Sequence, residues 1–217
     1  MHLEGKMGEV FENLARRKKT IPIADSLPKD RLLGLEAHFA DPHVWFDVSL
    51  WSETIAVVAA TLSEMAPQYA SEFKSRAADY KAQLEKLHQE CRTEFATIPE
   101  PQRILVTAHD AFHYLGKAYG LQVKAIQGIS TESEAGVKQI NELVAFIAKN
   151  KIKAVFIESS VSDRAVKALV EGCSQTGHAV KIGGELFSDA MGKPGTPEGT
   201  YPGMVRHNLH TIVNALK

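Results

Sequence analysis

Residues 104–126 read ILVTAHDAFHYLGKAYGLQVKAI. The stretch opens on an apolar, β-branched run at Ile104–Thr107, turns polar at Ala108-His109-Asp110, continues at helical spacing to Tyr119, stops at Gly120 and returns to an apolar run at Val123–Ile126. Gly120 stands where a glycine commonly ends a helix in the left-handed conformation. The same alternation continues downstream. Strands are predicted at Ile104–Thr107, Val123–Ile126, Ala154–Ile157 and Ala179–Ile182, and helices at 110–119, 133–149, 162–175 and 202–216, with Gly177 closing the third helix as Gly120 closes the first. Strands of this apolar kind, alternating with helices, predict an α/β fold with a parallel sheet covered by helices on both faces.

Upstream, Ile98-Pro99-Glu100-Pro101 marks a boundary. Before it, Tyr69, Phe73, Ala77, Tyr80, Leu84, Leu87, Cys91 and Phe95 recur every three or four residues, with Glu, Lys, Arg and Gln on the other faces. A helix over 68–96 would be about 40 Å long, more than the width of a small domain, and such a rod is expected to join two lobes. Pro67 separates it from another helix, Val48–Met65, because proline is tolerated in a first turn but not in an interior. Ahead of that lie a loop at 25–44, a strand at Thr20–Ala24 with Pro22 favouring an edge, and a helix over 3–19 ending in Arg16-Arg17-Lys18-Lys19. The expected organisation is a first lobe at 1–66, a linking helix at 67–98 and a second α/β lobe at 99–217.

Composition narrows the function classes. With 217 residues, 44% hydrophobic and 24% charged, the chain is an ordinary globular protein. Lys plus Arg number 25 against 26 Asp plus Glu, a net charge of -1, so no long-range field favours nucleic acid or an anionic membrane. Two cysteines, Cys91 and Cys173, are too few for a disulfide framework or a thiolate-rich zinc site. The best apolar run, Ile55–Ala60, is far short of the roughly 18 residues a membrane span needs. Met1–Lys6 carries no apolar core of a signal peptide. The glycine signatures of nucleotide binding and the serine-hydrolase elbow are absent, and Gly183-Gly184 reads as a tight turn rather than a phosphate cradle.

In open parallel sheets ligands bind beyond the carboxyl ends of the strands. Those positions hold Ala108-His109-Asp110, Glu158-Ser159-Ser160 and Gly183 through Asp189, and a further candidate, His43, sits in the loop Asp41–Asp47. Singly, each has a plain structural reading. His43 suits a loop histidine bonded to its neighbours, His109 a helix cap and Asp189 a turn residue. Together, imidazoles and carboxylate at loop ends suit a divalent cation, and donors without thiolate fit zinc, manganese or another first-row ion. Glu158 is a weaker ligand candidate and fits the outer position, accepting a hydrogen bond from a ligating imidazole. A competing motif is His109-Asp110-Ala111-Phe112-His113, close to the H-E-x-x-H of zinc hydrolases, though with Asp110 one methylene short of the usual glutamate and starting at a strand end. His2, His38, His88, His178, His207 and His210 read as surface residues, His38 being the nearest in sequence to the His43 loop.

DPHVWFD at 41–47, LVTAHDAFHYLGKAYG at 105–120, QGISTESEAG at 127–136, VFIESS at 155–160, GGELFSDAMG at 183–192 and GTPEGTYPGMV at 195–205 closely resemble the TroA-like zinc- and manganese-binding receptors, the solute-binding proteins of bacterial ABC importers. The resemblance runs from Leu3 nearly to Lys217. It implies two α/β lobes joined by one long helix with the metal between them. It also implies His43, His109 and Asp189 as ligands, no enzymatic turnover, and extracytoplasmic or periplasmic capture of zinc (alternatively manganese) for delivery to a permease. Members that favour manganese tend to carry glutamate at the position of His109, so the histidine leans toward zinc. The resemblance begins after the PHxYEP-like loop that supplies the family's first histidine ligand, and His2 does not replace it by motif. The first lobe is therefore expected to be incomplete, the site short of one ligand, and an apolar helix face left exposed.

Overall fold

Helical spacing of apolar residues produces α1, Met7–Ala15, in the computed structural model, which describes residues 7–35, 39–129 and 136–217. The start of the helix predicted over 3–19, together with His2 and His38, lies outside the described residues. α1 ends ahead of the basic run, with the backbone N–H groups of Arg17 and Lys18 donating to Leu14. It belongs to the first of two units, Met1–Glu90 and Cys91–Lys217.

The strand expected at Thr20–Ala24 does not form. Pro22, with φ -75° and no N–H to donate, leads instead into a 3-10 turn at Ile23–Ser26. The Ser26 hydroxyl closes the turn on the Ile23 carbonyl at 2.8 Å, a local bond that competes with strand pairing. Ala24 and Leu27 are buried and anchor the segment beside the following helix. A two-residue antiparallel pair follows, β1 Gly34–Leu35 with β2 Phe39–Ala40, inside the region expected to be loop. Among the described residues, parallel strands occur in the second unit alone.

α2, Val48–Met65, starts where the sequence places it, because Asp47 caps it. The Asp47 carboxylate accepts from the Ser49 and Leu50 N–H groups at 3.0 and 3.1 Å, and Arg31 ties the preceding loop to the same helix end through Asp47, Ser49 and Glu53. After Pro67–Tyr69, α3 runs unbroken for 27 residues, Ala70–Ala96, passing the division between the units at Glu90. The carbonyl of its last residue, Ala96, accepts from Arg103 at 2.9 Å, and the same guanidinium donates to the Ile98 carbonyl just beyond the helix.

The second unit realises the predicted alternation. β3 (Ile104–Thr107) pairs in parallel with β4 (Gln122–Ala125), and β5 (Ala154–Glu158) with β6 (Lys181–Leu186), while β3 lies beside β5. The helices are α4 (His113–Tyr119), α5 (Val137–Lys149), α6 (Arg164–Gln175) and α7 (Tyr201–Leu216). Strand alternation sorts the core into two faces. Ile104, Val106 and Val155 pack with Val144 and Ile147 of α5 and with Val166 and Leu169 of α6. Ala154 and Phe156 point the other way, toward Gly183 and Ala215 of α7. Each large aliphatic side chain buried there contributes roughly 1.5–3 kcal/mol.

Two of the boundaries that differ from expectation position the site. α4 begins at His113 rather than at residue 110, so residues 108–112 form a connecting loop. β6 runs from Lys181 to Leu186 rather than over Ala179–Ile182, and carries Gly183 and Gly184 inside the strand, where a tight turn was expected. Val155 faces Ile182 and Phe156 faces Gly184, leaving Gly183 as the extra residue of a β-bulge. A Cβ on Gly183 would come within 2.7 Å of the Ala215 Cβ and 2.8 Å of the Phe156 ring, and a Cβ on Gly184, whose φ is +147°, would come within 2.5 Å of the Thr211 methyl. The glycines thus let α7 lie directly on the strand.

Gly183→Ala is expected to lower unfolding stability by about 1–3 kcal/mol through overpacking. The check is the urea midpoint of the purified chain, and an unchanged midpoint would contradict the close approach of α7.

Candidate metal centre

His109 lies two residues beyond β3, in the connecting loop, and Glu158 is the last residue of β5. Because β3 and β5 are neighbours, their carboxyl ends meet. Glu158 Oε1 accepts the backbone N–H of His109 at 2.8 Å, and Oε2 bonds the imidazole Nδ1 at 2.5 Å. Both side chains are completely buried. The carboxylate thus fixes the ring plane and holds a proton on Nδ1, turning Nε2 toward Asp189, whose Oδ2 lies 3.5 Å away. Glu158 stands behind the imidazole rather than beside Asp189, the outer position the sequence offers it.

Burial pulls the His109 pKa down, since it disfavours the imidazolium, but the hydrogen bonds to Asp189 and Glu158 and their negative charges outweigh it and raise the pKa from 6.5 to about 10. Two acids around one buried imidazole make a site built for positive charge, held by a proton or by a cation. Asp189 follows the end of β6 and keeps 28% of its side chain exposed. It is therefore the member of the pair that solvent reaches.

In the first unit His43 stands between Pro42 and the 3-10 turn Val44–Phe46. Asp41 Oδ1 accepts its backbone N–H at 2.9 Å and bonds its Nδ1 at 2.7 Å, and both side chains are buried. The Trp45 ring packs edge-on against the imidazole at 5.2 Å. His43 is thus bonded to a neighbour, by the same carboxylate clamp on N–H and Nδ1 that Glu158 applies to His109.

The hydrolase motif does not assemble as such. Its scaffold needs both histidines inside one helix, whereas His109 precedes α4 and His113 is the first residue of it. His113 Nε2 pairs with Asp110 Oδ1 at 2.8 Å, at a partly exposed position. Nor does His109 cap α4, whose N-cap is Phe112. Two histidines read as surface residues have structural partners: His178 bonds the Ile152 carbonyl at 2.8 Å, and His207 bonds the Glu185 carbonyl at 2.9 Å. Asp41 and Asn208 escaped the sequence reading. Asp41 was legible in its spacing of two from His43, and Asn208 as a polar residue among the apolar positions Met204, Val205, Leu209 and Ile212 of α7.

A histidine whose folded pKa exceeds its unfolded value stabilises the fold fully below the unfolded pKa and loses that contribution as pH rises through the folded one, here from 6.5 to about 10. The thermal midpoint of the metal-free protein should therefore fall across this range. Glu158→Gln should lower the His109 pKa, read by NMR, and flatten the decline; a wild-type His109 titrating near pH 6.5 would contradict the account.

Known proteins similar to this chain bind metal ions. The chain is 48% identical to the manganese-binding lipoprotein MntA of Bacillus subtilis and 49% identical to the zinc-binding protein TroA of Treponema pallidum, in both cases over its full length and over 71% and 70% of theirs. The solved structure of the periplasmic zinc-binding protein TroA from Treponema pallidum superposes with a TM-score of 0.95 at 49% identity, covering 99% of this chain and 78% of that one. The family model of ZnuA, zinc-uptake complex component A, periplasmic, matches residues 1–215, and the chain belongs to that family.

Proposed function

We infer that the chain is a metal-binding receptor of an ABC importer, without enzymatic turnover, which takes up zinc, with manganese as the alternative ion, through His43, His109 and Asp189 and passes it to a permease. The observation that carries this reading is the His109 imidazole, clamped by Glu158 on one side and facing Asp189 on the other. The matching clamp of Asp41 on His43 supports a second imidazole ligand of the same kind. Carboxylates that hydrogen-bond Nδ1 of a ligating histidine fix its tautomer and raise its basicity, so both Nε2 atoms are prepared as donors.

Two imidazoles and one carboxylate without sulfur suit zinc and are compatible with manganese. Cys91 and Cys173 are both buried, and neither belongs to this donor set. No helix among the described residues is long and apolar enough to cross a membrane. We place the receptor outside the cytoplasmic membrane, where its relatives are named as lipoproteins or periplasmic proteins.

Calorimetric titration of the metal-free protein with zinc tests the assignment. His43→Ala, His109→Ala and Asp189→Ala should each weaken binding by more than about tenfold, and the triple variant should abolish one-to-one binding. His113→Ala should leave the affinity unchanged, because His113 pairs with Asp110. Wild-type affinity in the triple variant would overturn the ligand assignment.

A further inference from the structure

Asp189 is the exposed member of its pair, yet the chain leading to it is pinned at every step. The Leu186 carbonyl accepts the Ser159 N–H at 2.9 Å. One side chain, Asn208 of α7, then takes both polar groups of Phe187: its Oδ1 accepts the Phe187 N–H at 2.9 Å and its Nδ2 donates to the Phe187 carbonyl at 2.8 Å. Ser188, 2% exposed, shares a 2.5 Å hydroxyl–hydroxyl bond with Ser160, in the loop after β5. The neighbouring His207 holds the Glu185 carbonyl and sets its ring edge-on to Phe187 at 4.9 Å.

We propose that Asn208 and Ser188 are positioning residues for metal capture, setting where the Asp189 carboxylate stands relative to the His109 imidazole. The proposal rests on the reading that Asp189 is a metal ligand. Its physical basis is pre-organisation. A carboxylate on an unpinned loop would surrender conformational freedom on each binding event, and fixing the loop beforehand removes that cost. Asn208 suits the task as few side chains could. Its amide carries a donor and an acceptor side by side, matching the Phe187 N–H and carbonyl, whereas aspartate could only accept and leucine could do neither. Asn208 is 1% exposed, so its geometry is set by packing within α7 and against the end of β6. The Ser188–Ser160 bond adds a link to β5, the strand that ends in Glu158. The carboxylate behind His109 and the carboxylate in front of it are thereby tied to one frame.

The test is a double-mutant cycle on the full chain, read by calorimetry with zinc and by the visible absorption of bound cobalt(II), which reports ligand geometry. Asn208→Leu should weaken zinc binding about tenfold or more and Ser188→Ala should weaken it in the same direction, each shifting the cobalt bands. In an Asp189→Ala background neither substitution should cost further affinity, because the residue they position is gone. Folded Asn208→Leu and Ser188→Ala proteins that bind zinc like wild type, or that lose the same factor in the Asp189→Ala background, overturn the proposal. If Asn208→Leu does not fold, Ser188→Ala and its double variant decide the matter on the same criteria. Wild-type affinity in Asp189→Ala alone would defeat the ligand reading itself, an outcome distinct from the failure of the positioning role.

Discussion

Burying an imidazole completely, as His109 is buried, favours its neutral form and leaves two ring nitrogens in need of partners. The Glu158 carboxylate serves one of them, bonding Nδ1 together with the backbone N–H of the same residue. Much of the second unit follows from that pair. It requires the carboxyl ends of β3 and β5 to be adjacent, it requires a connecting loop between β3 and α4 so that His109 is not absorbed into the helix, and it requires a second acid for Nε2. Asp189, at the end of β6, supplies the last. With two acids about it the imidazole holds its proton up to about pH 10, and a divalent cation placed there competes with that proton.

The frame that delivers Asp189 depends on close packing rather than on charge. Gly183 and Gly184 admit α7 against β6, which brings Asn208 and His207 onto the chain between Glu185 and Phe187. The bulge at Gly183 shifts the strand by one residue and so sets which side chains emerge at its end. Packing in this unit thus decides where Asp189 stands. A methyl group at a glycine of β6 would disturb the helix that holds the loop carrying Asp189.

The parts of this account legible in the sequence were those written in local periodicity. α2 and β3 carry the predicted bounds, and the long α3 lacks only the first residues of its predicted span, because apolar spacing, the Asp47 cap and Pro67 act within a few residues of one another. The ligand candidates stood out because polar residues directly after apolar strands are costly unless used. Thr20–Ala24 misled because a short apolar run with a proline has no strand identity of its own, and Ser26 offered its backbone a local bond instead. β6 was misplaced because glycines carry no strand signal; the partner β5 and the helix α7 select them. Asn208 and the Ser160–Ser188 bond join residues 21 and 28 positions apart, a pairing that exists only once the fold has formed. Asp41, two residues from His43, was within reach of a sequence reading that asked what would hold the imidazole.

Carboxylate-backed imidazoles as the metal donors are the centre of this account, and X-ray absorption spectroscopy of the zinc-loaded protein examines them most directly. Nitrogen and oxygen bonded to zinc at about 2.0–2.1 Å are expected, with the multiple-scattering pattern of two imidazoles and no sulfur. A sulfur shell near about 2.3 Å, or fewer than two imidazoles, would contradict it.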